Sequence, residues 1–106
     1  SYEGGMGYIK RLWSIFTDDM DACIFTKSTY VERHHVFAGN ANRKKCEKYG
    51  FIAPLRPDLH PNGVFFNRTE QNLKIDGYLK IECQKYYESH FGSRKDFIRE
   101  FGKSYL

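Results

Sequence analysis

Three histidines stand at positions where short strands could organise imidazole chemistry. His34 and His35 are neighbours in an extended, alternating stretch, and His60 follows a second apolar run. Neutral imidazole is a common metal ligand, and its titration near neutral pH suits it to take a proton from water. Adjacent strand residues point to opposite faces, so one histidine could bind a metal while the other faces an attacking water. The pattern suggests metal-assisted hydrolysis of a phosphodiester.

Two strands are predicted to position these histidines. Over residues 31–37 the side chains alternate between two faces, one with Val31, Arg33, His35 and Phe37 and the other with Glu32, His34 and Val36. A second strand is predicted over residues 51–55, where Pro54 indicates an edge strand or a strand end. His60 comes shortly after this second strand.

Helices are predicted around and after the strands. A Gly- and Asn-rich loop leads to a short basic helix over residues 42–48, which Tyr49-Gly50 ends. Asn62 is predicted to cap a helix that starts at residue 63 or 64. The spacing of apolar residues predicts a second helical stretch from about residue 69 to residue 90, which is either continuous with the helix after Asn62 or separate from it.

The two ends of the chain carry further signals. Ser93 and Asp96 predict a capping box for a last helix, which Gly102 ends. Residues 7–16 are amphipathic and fit either a short helix or an extended segment. Residues 1–5 are interpreted as an expression-tag remnant or flexible tail, which leaves a single domain over residues 6–106.

Composition limits the class of protein. With 106 residues the chain has room for one modest core, and the 17% aromatic residues can build it with few side chains. A net charge of +4 favours a polyanionic partner. Three cysteines without a CxxC motif, no secretory leader and no membrane-length apolar run predict a cytoplasmic protein with reduced thiols.

Five segments of the chain carry a family resemblance. They are Glu32-Arg-His-His-Val-Phe37, Asn42-Arg43, Pro54-Leu-Arg-Pro-Asp-Leu-His60, Gly63-Val64 and Phe101-Gly-Lys-Ser-Tyr-Leu106. Together they resemble small HNH endonuclease-like proteins of bacteriophages and prophages, over nearly all of the chain after about Trp13. The resemblance implies an α+β fold with a ββα-metal element, formed by a short β-hairpin and a helix, and wrapped by N- and C-terminal helices.

The resemblance also implies roles for particular residues. His34 and His60 would bind one divalent cation, with Mg, Mn, Zn and Ni all open, and His35 would be the general base. Asn42 would brace the loop that holds the base and is favoured over Asn40. The implied activity is cleavage of DNA phosphodiester bonds in phage DNA processing or recombination, in the host cytoplasm if the chain is phage-encoded.

Two departures from the family pattern affect these expectations. Many relatives carry two CxxC pairs that bind a structural zinc. The corresponding positions in this chain are Cys23 and Thr26, and Arg56 and Leu59, so no structural zinc is expected. Phe65 occupies a position where relatives often carry a histidine ligand, and Asn67 is the candidate to supply an oxygen ligand instead. The departure keeps an alternative open, a catalytically impaired DNA- or protein-binding module such as an inhibitor of a host nuclease or defence system.

Basic residues provide the candidate contacts to DNA phosphates. The resemblance places them beside the cleft, as Arg43, Lys44, Lys45, Arg56 and Arg68. Such contacts would give salt-sensitive binding that is largely independent of base sequence. The Tyr and Leu stripe of the helix at 69–90 is interpreted as core or as a homodimer interface.

Overall fold

The computed structural model of this chain describes residues 11–106. Its regular elements are β1 (Glu32–His35), α1 (Asn40–Tyr49), β2 (Ile52–Leu55), α2 (Ile75–His90) and α3 (Arg94–Phe101). Two short 3-10 turns, Pro57–Leu59 and Asn72–Lys74, lie between β2 and α2. The protein is therefore a small α+β structure with one two-stranded antiparallel sheet and three α-helices.

The two strands pair in a defined register. Glu32 lies opposite Leu55, and His34 lies opposite Ala53. The prediction of a short β-hairpin is wrong, because α1 lies between the two strands in the chain. Both strands are edges of a two-stranded sheet, which tolerates Pro54 because an edge strand can lack one N–H donor.

Gly50 ends α1 and brings the second strand back toward the first. Its φ of 74° is in the left-handed region, and its N–H donates to the carbonyl of Cys46. A Cβ at this position would lie 2.7 Å from the Trp13 ring, so the close packing of Trp13 also requires a glycine. The predicted end of this helix is confirmed.

The helix predicted to start after Asn62 is absent, since turns and irregular backbone occupy residues 61–71. Asn62 has a φ of 66°, in the left-handed region, whereas a helix N-cap residue is usually extended. Regular α-helix begins only at Ile75 and continues through Gly77 to His90. Residue preference at a single position therefore predicted a cap where the backbone forms a turn.

The last helix matches its prediction. The Ser93 side chain accepts from the N–H of Asp96, and the Asp96 carboxylate accepts from the N–H of Ser93, which completes the capping box. Gly102, with a φ of 99°, ends α3 as its C-cap.

Residues 11–31 contain neither helix nor strand, so the prediction of an N-terminal helix is wrong for this range. The segment is held instead by backbone hydrogen bonds, from Ile15 to the carbonyl of Gly50 and from Ile24 to that of Pro54. Its apolar residues pack against the core without forming a periodic face. The rest of the predicted amphipathic stretch, and the predicted tail at 1–5, lie outside the described residues.

Aromatic rings build the core between the sheet and the helices. Phe37 lies at the centre, with ring centroids 5.9 Å from Phe51, 5.8 Å from Phe97 and 4.5 Å from Phe101. The three cysteines are fully buried and unpaired. Within residues 11–106, no helix is both long and apolar enough to cross a membrane.

Candidate functional site

His34 and His60 are brought together from different parts of the chain. Strand β1 directs His34 away from solvent, and only 5% of the residue is exposed. His60 follows the 3-10 turn Pro57–Leu59, which begins shortly after β2. The two imidazole centroids are 4.8 Å apart, with the rings inclined at 61°. Two nitrogen-bearing rings therefore meet beside the sheet, as the resemblance implied for two metal ligands.

The Nε2 atom of His34 is buried and has no hydrogen-bond partner. Burial, together with the neighbouring His60, lowers the pKa of His34 to about 4, and the Asp76 carboxylate only partly opposes this. The ring is therefore neutral near pH 7. An unsatisfied buried polar group costs about 1–3 kcal/mol, so Nε2 of His34 is a site where an ordered water or a bound ligand would stabilise the fold.

His60 is oriented by a carboxylate. Its Nδ1 lies 2.5 Å from Oε1 of Glu32, which shares a strand face with His34. With Nδ1 donating to Glu32, the lone pair is on Nε2, as in histidines whose other nitrogen binds a metal. Gly63 makes room for this ring, because a Cβ there would lie 2.9 Å from Nδ1.

His35 lies on the opposite face of β1 from His34. Its Nε2 is 3.0 Å from Oε2 of Glu47 on α1, and its side chain is 14% exposed. The Nε of Arg43 is 3.7 Å from the same carboxylate oxygen. The alternation predicted from the sequence thus places the two neighbouring imidazoles in separate environments, each beside a glutamate.

Sequence reasoning did not assign roles to Glu32 or Glu47. A signal for Glu32 was present, because a residue two positions before His34 on a strand must share its face. Glu47 gave no comparable signal, since its approach to His35 depends on how α1 packs against β1. Both carboxylates orient an imidazole and are part of the site.

Asn42 forms a hydrogen bond with the loop that follows β1. Its Nδ2 donates to the carbonyl of Ala38 over 2.8 Å, three residues after His35. Asn40, the other candidate, is the first residue of α1. Asn42 therefore contacts the loop after β1, and its role in holding the general base stays a prediction.

Asn67 and Phe65 lie in the loop between His60 and α2. The N–H of Asn67 donates to Asp58 over 2.9 Å, its carbonyl accepts from Asn72, and the residue is exposed. Phe65 is 67% exposed and lies beside Tyr30 and Asp58, so its ring does not fill the space between the two histidines.

The five predicted phosphate-binding residues differ in availability. Arg43, Lys44 and Arg68 are exposed. Lys45 instead donates to the carbonyl of Glu100, in α3. Arg56 is held by Asp58 through two hydrogen bonds of 2.6 and 2.9 Å, so its guanidinium is already engaged.

The donor set at the paired histidines fits a divalent cation in part. The unsatisfied Nε2 of buried, neutral His34 and the oriented ring of His60 are suitable nitrogen donors. Across residues 11–106, no group of three or more His, Cys, Asp or Glu side chains is arranged to hold a metal ion. The two imidazoles therefore do not form a complete ligand set with other His, Cys, Asp or Glu side chains of the described chain, and further ligands would be amide or carbonyl oxygens, water or a substrate phosphate.

No protein-family model, curated protein or solved structure matches the chain.

Proposed function

We propose that the protein is a divalent-metal-dependent, HNH-like endonuclease that hydrolyses DNA phosphodiester bonds. The observation that carries the proposal is the pairing of His34 and His60 at 4.8 Å, with an unsatisfied buried nitrogen on His34. The sequence resemblance supplies the reaction class and a role in phage DNA processing or recombination.

His34 and His60 would hold the cation, which when bound would stabilise negative charge on the phosphoryl and leaving oxygens. The neutral state of His34 favours this role, because a protonated imidazole cannot donate a lone pair. Glu32 keeps His60 in one tautomer and one orientation. Two imidazole donors do not select among Mg, Mn, Zn and Ni.

His35 would take the proton from the attacking water. Its contact with Glu47 occupies one ring nitrogen and fixes the ring orientation, which leaves the other nitrogen to take up the proton. Asn42 keeps the loop after His35 in place through Ala38. A fixed base reduces the reorganisation needed to reach the reactive geometry.

DNA would be held mainly through its phosphates. The chain carries a net charge of +4, and Arg43, Lys44 and Arg68 present exposed cations. Contacts of this kind lose affinity as salt concentration rises, because binding releases counterions from the DNA.

A plasmid-nicking assay tests the proposal. The purified protein is incubated with supercoiled plasmid and, in turn, Mg, Mn, Ni, Zn or a chelator. We expect nicking with at least one metal and none with the chelator. His35→Ala should reduce the rate by a factor of about 100 or more, the usual range for losing a general base. His34→Ala should abolish nicking, because it removes a metal ligand. His90→Ala is the matched control, because His90 stacks on Tyr86 at the far end of α2.

Calorimetric titration with the same metals separates ligand loss from base loss. His34→Ala should abolish metal binding, whereas His35→Ala should retain it and lose only cleavage. Equal nicking by wild type and by both variants would show a contaminating nuclease and overturn the proposal, as would metal binding that persists without His34 and His60.

A second candidate function is an HNH-shaped DNA- or protein-binding module without catalysis, such as an inhibitor of a host nuclease or defence system. It is favoured by the exposed Phe65 at the family's ligand position and by the two-donor set within the described residues. DNA binding without cutting, under every metal tested, would support it over the enzyme.

A further inference from the structure

A cleft lies between the turn at residues 25–26 and the start of α2. Its volume is about 490 Å³, within the range of small-molecule sites. Phe25 and Tyr78 are half exposed and face each other, with ring centroids 6.2 Å apart and the rings inclined at 52°. We call this space, bounded by Phe25, Tyr78, Leu59 and Ile75, the aromatic cleft.

The aromatic cleft and the candidate catalytic site share a short stretch of backbone. Leu59 lines the cleft, and the next residue in the chain is His60.

Polar side chains line one part of the aromatic cleft. Thr26, Gln71 and Asn72 contribute a hydroxyl and two amides. These groups both donate and accept hydrogen bonds, so they can satisfy the edge of a nucleobase without selecting a single base. An apolar ring with a polar edge matches this combination of walls better than an aliphatic chain does.

The charge of the lining favours an anionic ligand. Arg56 and Lys74 line the aromatic cleft, and no acidic residue does. Arg56 is engaged by Asp58, whereas exposed Lys74 forms no ion pair within residues 11–106. Lys74 can therefore meet a phosphate at the mouth of the cleft.

We propose that the aromatic cleft binds an unpaired nucleobase, which stacks on Tyr78 and contacts Phe25 at an angle, with its phosphate near Lys74. In a duplex the bases are stacked on one another and cannot enter such a space without being unpaired. The substrate class is then DNA with a single-stranded segment, such as a flap, fork or gap. This inference rests on the proposed function for its link to cleavage, and the base-binding site itself is tested separately.

Binding is measured by fluorescence anisotropy in a chelating buffer, so that no cleavage can interfere. The probes are a labelled single-stranded oligonucleotide of mixed sequence and the blunt duplex of the same sequence. We expect the single strand to bind more tightly, and Tyr78→Ala to weaken it about tenfold, since one base stacked on an aromatic ring contributes on this scale. Tyr78→Phe should bind as the wild type does.

Tyr30→Ala is the matched control. Tyr30 is 73% exposed and lines a different depression, with Phe65, so its loss should leave the affinity unchanged. Lys74→Glu is a second variant of the cleft at an exposed position, and it should weaken binding and reduce its salt dependence. Circular dichroism and thermal melting of each variant check that it folds.

Equal affinity for single strand and duplex, or equal losses from Tyr78→Ala and Tyr30→Ala, would overturn the inference. Unchanged DNA binding in Tyr78→Ala, with a dimer becoming a monomer on size exclusion, would overturn it and assign the cleft to a contact between copies of this chain. Tyr78-dependent single-strand binding without nicking under any metal would support the cleft while the nuclease proposal fails. Nicking that depends on His35, without binding that depends on Tyr78, would support the nuclease proposal and overturn the base-binding cleft.

Discussion

Around the aromatic core, the polar side chains form hydrogen bonds with other groups of the protein. Beside the two strands, one buried polar side chain has no such partner. The hydroxyls of Tyr49 and Tyr87 both donate to Oε2 of Glu100, over 2.5 and 2.6 Å. Buried Gln84 accepts from the N–H of Tyr105 over 2.7 Å. By contrast, Nε2 of His34 is the one buried side-chain nitrogen or oxygen within residues 11–106 that lacks a hydrogen-bond partner.

The difference separates groups that stabilise the fold from a group that is available to a ligand. Tyr49, Tyr87 and Glu100 belong to α1, α2 and α3, so their hydrogen bonds join the three helices. Loss of a partner there leaves a buried donor unsatisfied. At His34 that cost is already present in the folded chain, which is expected where a bound ion offsets it.

The largest effect is expected in the core. Phe97→Ala removes a fully buried ring whose centroid is 4.9 Å from that of Phe101, and we expect the unfolding free energy to fall by about 3–5 kcal/mol. Urea denaturation measures it. Ile98→Ala, a more exposed position on the same helix, is the control and should cost about 0.5 kcal/mol. Similar losses for the two variants would mean that the core is not where the aromatic packing places it.

A smaller effect is expected from the pH dependence of His34. Its pKa is lowered to about 4 in the folded protein, from 6.5. Between these two pH values the unfolded chain binds a proton that the folded chain does not, so stability falls as the pH falls. The loss should approach about 3 kcal/mol by pH 4.

Urea denaturation at a series of pH values in a chelating buffer measures this dependence. Other groups titrate in the same range, so the comparison is with His34→Leu, which keeps a buried apolar side chain and cannot titrate. The stability of the variant should fall less steeply between pH 6.5 and 4. Parallel profiles for the two proteins would contradict a neutral, buried His34.

The smallest effect is expected from the satisfied polar network. Glu100→Gln keeps the size of the side chain and removes the charge that accepts two tyrosine hydroxyls, and it should lower the unfolding free energy by about 2 kcal/mol. In a double-mutant cycle with Tyr49→Phe, the two losses should add to more than the loss of the double variant. Additive losses would show that the hydroxyl of Tyr49 gains nothing from Glu100.

Local rules predicted the parts of the fold that depend on neighbouring residues. Successive side chains of a strand point to opposite faces, and this rule predicted that His34 and His35 lie on opposite faces of β1. Gly50 and Gly102 ended their helices, because both take a left-handed φ that other residues rarely adopt. The capping box at Ser93 depends on side chains only three residues apart.

The remainder depends on contacts between distant segments. Nothing in the spacing of His34 and His60 fixes how close their rings lie, because the path from β2 through the 3-10 turn decides it. The sequence favoured a cap at Asn62, where the backbone instead makes a left-handed turn. Residues 11–31 carry apolar side chains that pack on the core without a period that identifies an element.

Strand β1 is only four residues long, yet the alternation of its side chains decides which chemical groups lie on each side of the sheet. Glu32 and His34 face His60, while Arg33 and His35 face the other way. Adding or deleting one residue between Glu32 and His34 would put these two side chains on opposite faces of the sheet, so that His34 and the glutamate partner of His60 could no longer lie on the same side.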